Sequence, residues 1–315
     1  MATTSTRQSA VAPAPFVDPL IAMAFVVVLW GIGPPITKLV TAPPLVGTMV
    51  RFGISFPLLF AIVLLRGQRI SWSLLRSTML PGLAFGTNLV FVFATLQEAS
   101  VAVLSTTVAI QPALLLIIAG PLFGEWPSAR HVAWSAVGIL GAAIVILGAG
   151  AGVRASPLGI LLAVTALLTF SVYFVLTRVA RSGSDVDPIQ WMAGINLWAF
   201  VAAIPPSLFL VRGDELRQFG GMDWLWIVII AYLTGVTGHV AMSWLHAYLE
   251  AARSSLYLLA MHLVAVGLAW PIHDEPVTLM QVVGGIVLLG SVTAVIRLPT
   301  RISTPATQGT ATSSR

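Results

Sequence analysis

The side chains in this sequence that could do chemistry are few, and they interrupt long apolar runs. Asn88, Gln111, Asn196, His239 and His262 stand among Ala, Val, Leu, Ile, Phe and Gly. An unpaired polar group in hydrocarbon costs energy, so each of these must face a cavity or a partner. Tyr232, His239 and His246 recur every seven residues, two helical turns, and so share one helix face. Trp30, Phe91, Tyr173 and Tyr257 also fall inside apolar runs, where flat rings either wall a cavity or pack a core. Together the set offers recognition, with rings for an apolar moiety and amides or imidazoles for a polar end. The competing role for each polar residue is a bond to a neighbouring helix, worth about 0.6 kcal/mol on average. For Asn196 that structural role is the leading one.

Bond-breaking machinery is missing. There is no cysteine, hence no thiol nucleophile, disulfide or thiolate metal site. None of the 11 acidic residues falls deep in an apolar run, so a carboxylate proton relay lacks its parts and a coupled proton would need a histidine. No Gly-rich phosphate loop closing on Lys-Ser/Thr, no His-Glu-x-x-His and no Gly-x-Ser-x-Gly occurs. The chain is therefore not expected to be an enzyme or to carry a cofactor or metal. Its net charge of +5 does not indicate nucleic acid, because the basic residues flank the apolar runs and form no separate domain.

The elements that hold these residues follow from composition. The 315 residues are 57% hydrophobic and 9% charged, against roughly 25% charged in a soluble domain. Charges cluster between apolar runs of about 20 residues, the length that crosses a hydrocarbon core of ~30 Å. The runs are apolar on every side, which excludes the alternating strands of a barrel. Ten spans are expected, near 20–40, 45–65, 79–97, 101–123, 132–150, 158–180, 189–211, 225–249, 254–273 and 277–296. Residues 1–18 and 299–315 read as disordered tails. With the amino terminus inside, eleven of the 16 basic residues fall on the inner side, four on the outer, and Arg51 within a span. The positive-inside rule thus places both termini in the cytoplasm.

Residues 19–150 and 151–298 read as two similar halves. Thr37-Lys38 at the end of span one is echoed by Thr177-Arg178 at the end of span six, and Glu125 by Glu275 before the last span of each half. Five spans is an odd number, so the second copy must be inverted, a recurring plan of secondary transporters with the substrate between the copies.

Local features add further expectations. Pro34 and Pro35, following Gly31 and Gly33, should interrupt span one, and Pro112 should kink span four beside Gln111. The interruption either lines a pathway with Trp30 as a wall, or is a packing kink with Trp30 toward lipid. Arg51 lies about 10 Å of rise into span two, either to bind an anionic group or to snorkel to the outer interface. Trp72, Trp126, Trp224 and Trp226 fall at span ends and suit the headgroup zone. Glu125 and Glu275 suit helix starts. Gly138 and Ala142 share a face that lets helices approach, within a monomer or between monomers.

Leu29-Trp30-Gly31 with Lys38, Val50-Arg51-Phe52, Pro112 followed by Glu125, and the glycines 138, 141, 284, 285 and 290 occur in an order that resembles the drug/metabolite transporter superfamily, in its EamA-type subgroup. The resemblance covers about residues 19–298, with one departure: His262 stands where the second repeat would carry a proline. It implies an all-α membrane protein of ten helices in two inverted five-helix repeats. It also implies export of small neutral or zwitterionic metabolites such as amino acids by alternating access across the inner membrane. The candidate binding residues are Trp30, Pro34, Asn88, Phe91, Gln111, Tyr173, Tyr232, His239, Tyr257 and His262. Expected partners are the small-molecule substrate and the bilayer, with a monomer plausible and the oligomeric state left open by the sequence. Two alternatives stand: a carrier of sugars or phosphorylated metabolites, which needs at least two cations in the cavity, and a membrane scaffold or sensor that transports nothing.

Overall fold

The computed structural model describes residues 17–111, 113–115, 125–126, 128–148, 156–181, 186–245, 257–298 and 301–302. Among the described residues the apolar runs are helical, and several of the helices are opened by a residue suited to the task. Asp18 accepts the Leu20 amide at 2.7 Å ahead of Pro19, whose fixed φ suits a first turn, and α1 (Pro19–Lys38) follows. α2 (Pro44–Leu65) likewise begins on a proline. Ser71 accepts from Leu74 at 3.1 Å to open α3 (Trp72–Glu98), and Ser100 from Val103 at 3.2 Å to open α4 (Val101–Val108). Next come α5 (Ala129–Leu147), α6 (Pro157–Arg181), α7 (Pro188–Leu210) and the short surface helix Gly213–Gln218. α8 has three consecutive stretches, Met222–Val228, Ile229–Thr237 and Gly238–Leu245, and is followed by α9 (Ala260–His273) and α10 (Leu279–Arg297). Glu125–Trp126 and Arg301–Ile302 form a two-residue antiparallel bridge.

Among the described residues, eight helices are long and apolar enough to cross a membrane, and Val101–Leu115 and Ala260–His273 are shorter apolar helices. Outward faces are hydrocarbon: Phe209 is 85% exposed, and Leu161, Leu208, Leu279 and Ile286 also point away from the bundle. A continuous coat of this kind would drive aggregation in water. In lipid it is solvated.

The helices pack through small residues, as membrane helices do when there is no hydrophobic drive between them. A Cβ on Gly86 of α3 would lie 2.5 Å from the Ala199 carbonyl of α7, and one on Gly141 of α5 would lie 2.9 Å from the Gly284 carbonyl of α10. The small-residue face of α5 is thus used within the chain. α1 ends and α6 begins on the same side of the bundle: Lys38 donates to the Ala99 carbonyl at 2.8 Å, and Ser156 to the neighbouring Glu98 carbonyl at 3.2 Å. The first helices of the two halves therefore run in opposite directions, as an inverted second copy requires.

Three sequence expectations change. α1 is continuous through Pro34 and Pro35. The prolines remove two amides, and α9 presses on Gly31, where a Cβ would meet Val264 at 2.6 Å. The Thr37 hydroxyl donates to the Gly33 carbonyl at 2.8 Å and the His273 ring to the Pro35 carbonyl at 2.8 Å. Hydroxyls and neighbouring helices hold the segment in this way. α3 begins at Trp72 rather than Met79, because Ser71 supplies the cap and the Ser77 and Thr78 hydroxyls bond back to Leu74 at 2.9 Å. Glu275 does serve a helix start, but that of α4. One of its oxygens accepts the Val101 amide at 2.9 Å, where the dipole favours negative charge. α10 is opened instead by Thr278 and Gln281, in reciprocal bonds of 3.2 and 3.0 Å. Glu125 lies in the bridge, and Ser128 precedes the first turn of α5. The Pro112 kink and the side chains of Glu125, Trp126 and Arg178 lie outside the described residues.

The other Glu275 oxygen pairs with Lys38, the chain's lone lysine. On the same side Asp223 accepts the Thr41 amide at 2.8 Å and its hydroxyl at 3.0 Å, and Gln97 donates to the Ala42 carbonyl at 2.8 Å. At the opposite end the ion pair among the described residues is Arg66 with Asp187 at 3.8 Å, its Arg side chain 49% exposed. That pair contributes little.

Candidate functional site: a cavity between the two halves

α2 places Arg51, Phe52, Ser55 and Leu59 on one face, at spacings of one, four and eight residues. Opposite them α8 presents Ala231, Gly235, Val236, His239 and Val240, while Phe85 of α3 and Met192 and Asn196 of α7 close the sides. The cavity takes walls from both halves. Arg51 is the eighth of 22 residues in α2, so its side chain enters the membrane interior and lines the cavity. The cavity is contracted, with room for little more than a water-sized sphere, so any metabolite needs the walls to part.

The middle of α8, Ile229–Thr237, is a π-helix. Such wider turns cluster at functional sites, and here neighbouring helices hold the turn in place. The Trp30 indole donates to the Thr234 carbonyl at 3.1 Å, and the Tyr232 hydroxyl to the Ile54 carbonyl at 3.0 Å. His239 Nδ1 bonds the Gly235 carbonyl at 2.7 Å, which puts a proton on Nδ1.

A rib of rings runs through the site. Phe85 stacks on Tyr173 (centroids 4.7 Å apart, planes at 29°), meets Phe52 edge-on at 5.5 Å and approaches His239 at 6.2 Å. Tyr173 stacks on Phe170 at 5.9 Å, and Trp30 sits 5.1 Å from His239. The polar wall is internally bonded: Ser55 donates to Asn196 Oδ1 at 2.7 Å, and Asn196 Nδ2 to the Met192 carbonyl at 2.8 Å. Arg51 is different. Its guanidinium lies 5.8 Å from the Phe52 ring centroid, and among the described residues no acidic side chain is within ion-pair distance.

Of the residues expected from sequence, His239 lines the cavity, Trp30 and Tyr173 contact its wall rings, and Tyr232 ties α8 to α2 beside it. The others lie elsewhere. Asn88 donates to the Ala166 carbonyl at 2.7 Å and fastens α3 to α6. Phe91 packs with Leu96, Val101 and Leu104, and Pro34 lies in α1 off the walls. Gln111 has a buried Nε2 with no hydrogen-bond partner among the described residues, away from these walls. His262 is half-buried on α9 and is not part of the wall. Tyr257 is 41% exposed and is not part of the wall. His246 lies outside the described residues. Sequence reasoning missed Phe52, Ser55, Phe85 and Met192, although the four-residue spacing of Arg51 and Ser55 already put those two on one face.

Oppositely directed helix sets meeting at a polar and aromatic cavity inside an apolar shell define a multi-pass membrane protein of the two-repeat transporter class. The chain belongs to the EamA-like transporter family, which matches residues 19–147 and 157–297. It is similar to the uncharacterized transporter YvbV of Bacillus subtilis (strain 168), 26% identical over 288 residues that cover 86% of this chain and 88% of that protein. It is also similar to an uncharacterized transporter of Archaeoglobus fulgidus, 25% identical over 277 residues, covering 86% and 96%. One solved crystal structure, 20% identical, superposes with a TM-score of 0.62 over 88% of this chain and 95% of its own. That likeness establishes a shared fold.

Proposed function

We propose that this chain is a secondary transporter of the inner membrane that exports small organic metabolites, neutral or zwitterionic ones such as amino acids, by alternating access. In this reading α4 and α9 complete ten spans, both termini are cytoplasmic, and no enzymatic step or cofactor takes part. The observation that carries it is the cavity itself: its walls come from α2 and α3 of one half and α7 and α8 of the other. That is where inverted-repeat transporters hold their substrates. Lys38–Glu275, Thr41–Asp223 and Gln97–Ala42 close the side on which α1 ends, the outer side in this orientation. A phosphorylated substrate fits less well, since Arg51 is the one Lys or Arg on the described walls.

Purified full-length protein in ATP-free liposomes tests the proposal through counterflow of labelled amino acids, carboxylic acids and sugars. Saturable accumulation driven by unlabelled solute inside supports transport. If folded protein yields no accumulation of any solute, the transport reading falls and a scaffold or sensor takes its place.

A further inference from the structure

The geometry points to Arg51 as the anchor for a carboxylate on the transported molecule, making monocarboxylates with an apolar body the preferred class. This rests on the transport reading above and shifts its substrate from the neutral or zwitterionic class to monoanions. Arg51 is a permanent cation within the span of α2, and such a charge in a membrane interior is costly unless paired. The side chains near it do not pair it. Phe52, Phe85 and Met192 are apolar, Ser55 and Asn196 bond each other, and His239 donates its Nδ1–H in a hydrogen bond to the Gly235 carbonyl. No acidic side chain is on the described walls. Gly235 faces Arg51 across the cavity, where even an added Cβ would only come into ordinary contact, 3.7 Å from an Arg51 terminal nitrogen.

A guanidinium presents two parallel N–H groups that match the two oxygens of a carboxylate. A carboxylate seated there would neutralise the site, with its body against Phe52, Phe85 and Met192. A single cation balances one negative charge, which favours a monoanion over a phosphate dianion. An ammonium group finds no acid on these walls, so a simple carboxylic acid outranks the amino acid of the same skeleton.

The test uses purified full-length protein and four probes: 3-phenylpropionate, phenylalanine, 3-phenylpropanamide and phenylalaninamide. Binding is read from the ligand-induced rise in melting temperature, and transport of the same probes by counterflow. Wild type is expected to bind 3-phenylpropionate about tenfold or more tightly than its amide, with phenylalanine between. In Arg51→Gln the ratio of carboxylate to amide affinity should fall to about one, and in Arg51→Lys to an intermediate value. That ratio is taken within each variant, so a general loss of stability does not move it. Equal binding of acid and amide by wild type, no binding of either acid, or an unchanged ratio in Arg51→Gln would each overturn the anchor. Phenylalanine binding more tightly than 3-phenylpropionate would overturn the monoanion preference. Counterflow of the amides with no carboxylate preference would remove the anchor and leave transport standing, whereas absence of counterflow for these probes and for the amino acids, carboxylic acids and sugars of the wider panel would remove transport itself.

Discussion

Replacing Glu275 by Gln should open the side of the bundle on which α1 ends. The Lys38–Glu275 pair has side chains only 19% and 10% exposed, and its atoms also bond the Ala99 carbonyl at 2.8 Å and the Val101 amide at 2.9 Å. It therefore joins the end of α1, the start of α4 and the segment before α10. Removing one partner of a buried pair costs about 3–5 kcal/mol, while exposed pairs are worth about 0–1. This pair lies at the rim with most of its surface covered, so about 2 kcal/mol is the expected loss from the closed state. At 1.4 kcal/mol per decade the closed-to-open ratio shifts roughly 25-fold. The chain has no cysteine, so a single Ala231→Cys on the cavity wall is a clean reporter. A membrane-impermeant maleimide applied to the outer face of intact cells should label it at least about tenfold faster once Glu275→Gln is added. Lys38→Ala should act similarly, and the double variant should exceed neither single by much, because both remove one interaction. Labelling rates within twofold of the parent in all three, with the proteins inserted and folded, would refute the latch.

Other substitutions separate the site from its scaffold. Asn88→Leu removes the bond to Ala166 and should lower the melting temperature by about 2 °C, from roughly 1 kcal/mol, while leaving transport affinity unchanged. Gly141→Leu should sharply reduce folded yield, because a first added carbon already meets α10 backbone within 3 Å. Gly267→Ala, with nothing within 4 Å, should be tolerated in the same detergent-stability assay. His239→Ala should weaken binding of the transported solute at least about fivefold while His262→Ala leaves it unchanged, since only the first lines the cavity; equal effects in titration calorimetry would remove His239 from the site.

Much of the architecture was legible because lipid imposes one strong rule: backbone groups must be satisfied within each span. Run length and charge placement then suffice to find helices, and repeated pairs such as Lys38 with Arg178 reveal the duplication. The proline pair in α1 misled because its consequence depends on neighbours. Gly31 against Val264 and His273 against Pro35 are contacts between residues more than 200 positions apart. The same limit applied to the site. Asn88 and Asn196 look alike in sequence, yet one fastens α3 to α6 and the other belongs to a cavity wall. Phe85 gave no local signal, since its place follows from Gly82 and Gly86 drawing α3 against α7. Arg51 could be recognised as unusual, and the packing of α2 against α8 turned it inward.

The claim that this cavity is the transport site is tested most directly by substrate protection of Ala231→Cys. The best-transported solute of the counterflow panel should slow maleimide labelling saturably, with half-protection at the concentration that half-saturates counterflow. Full counterflow with no protection of Ala231→Cys at any solute concentration would contradict it.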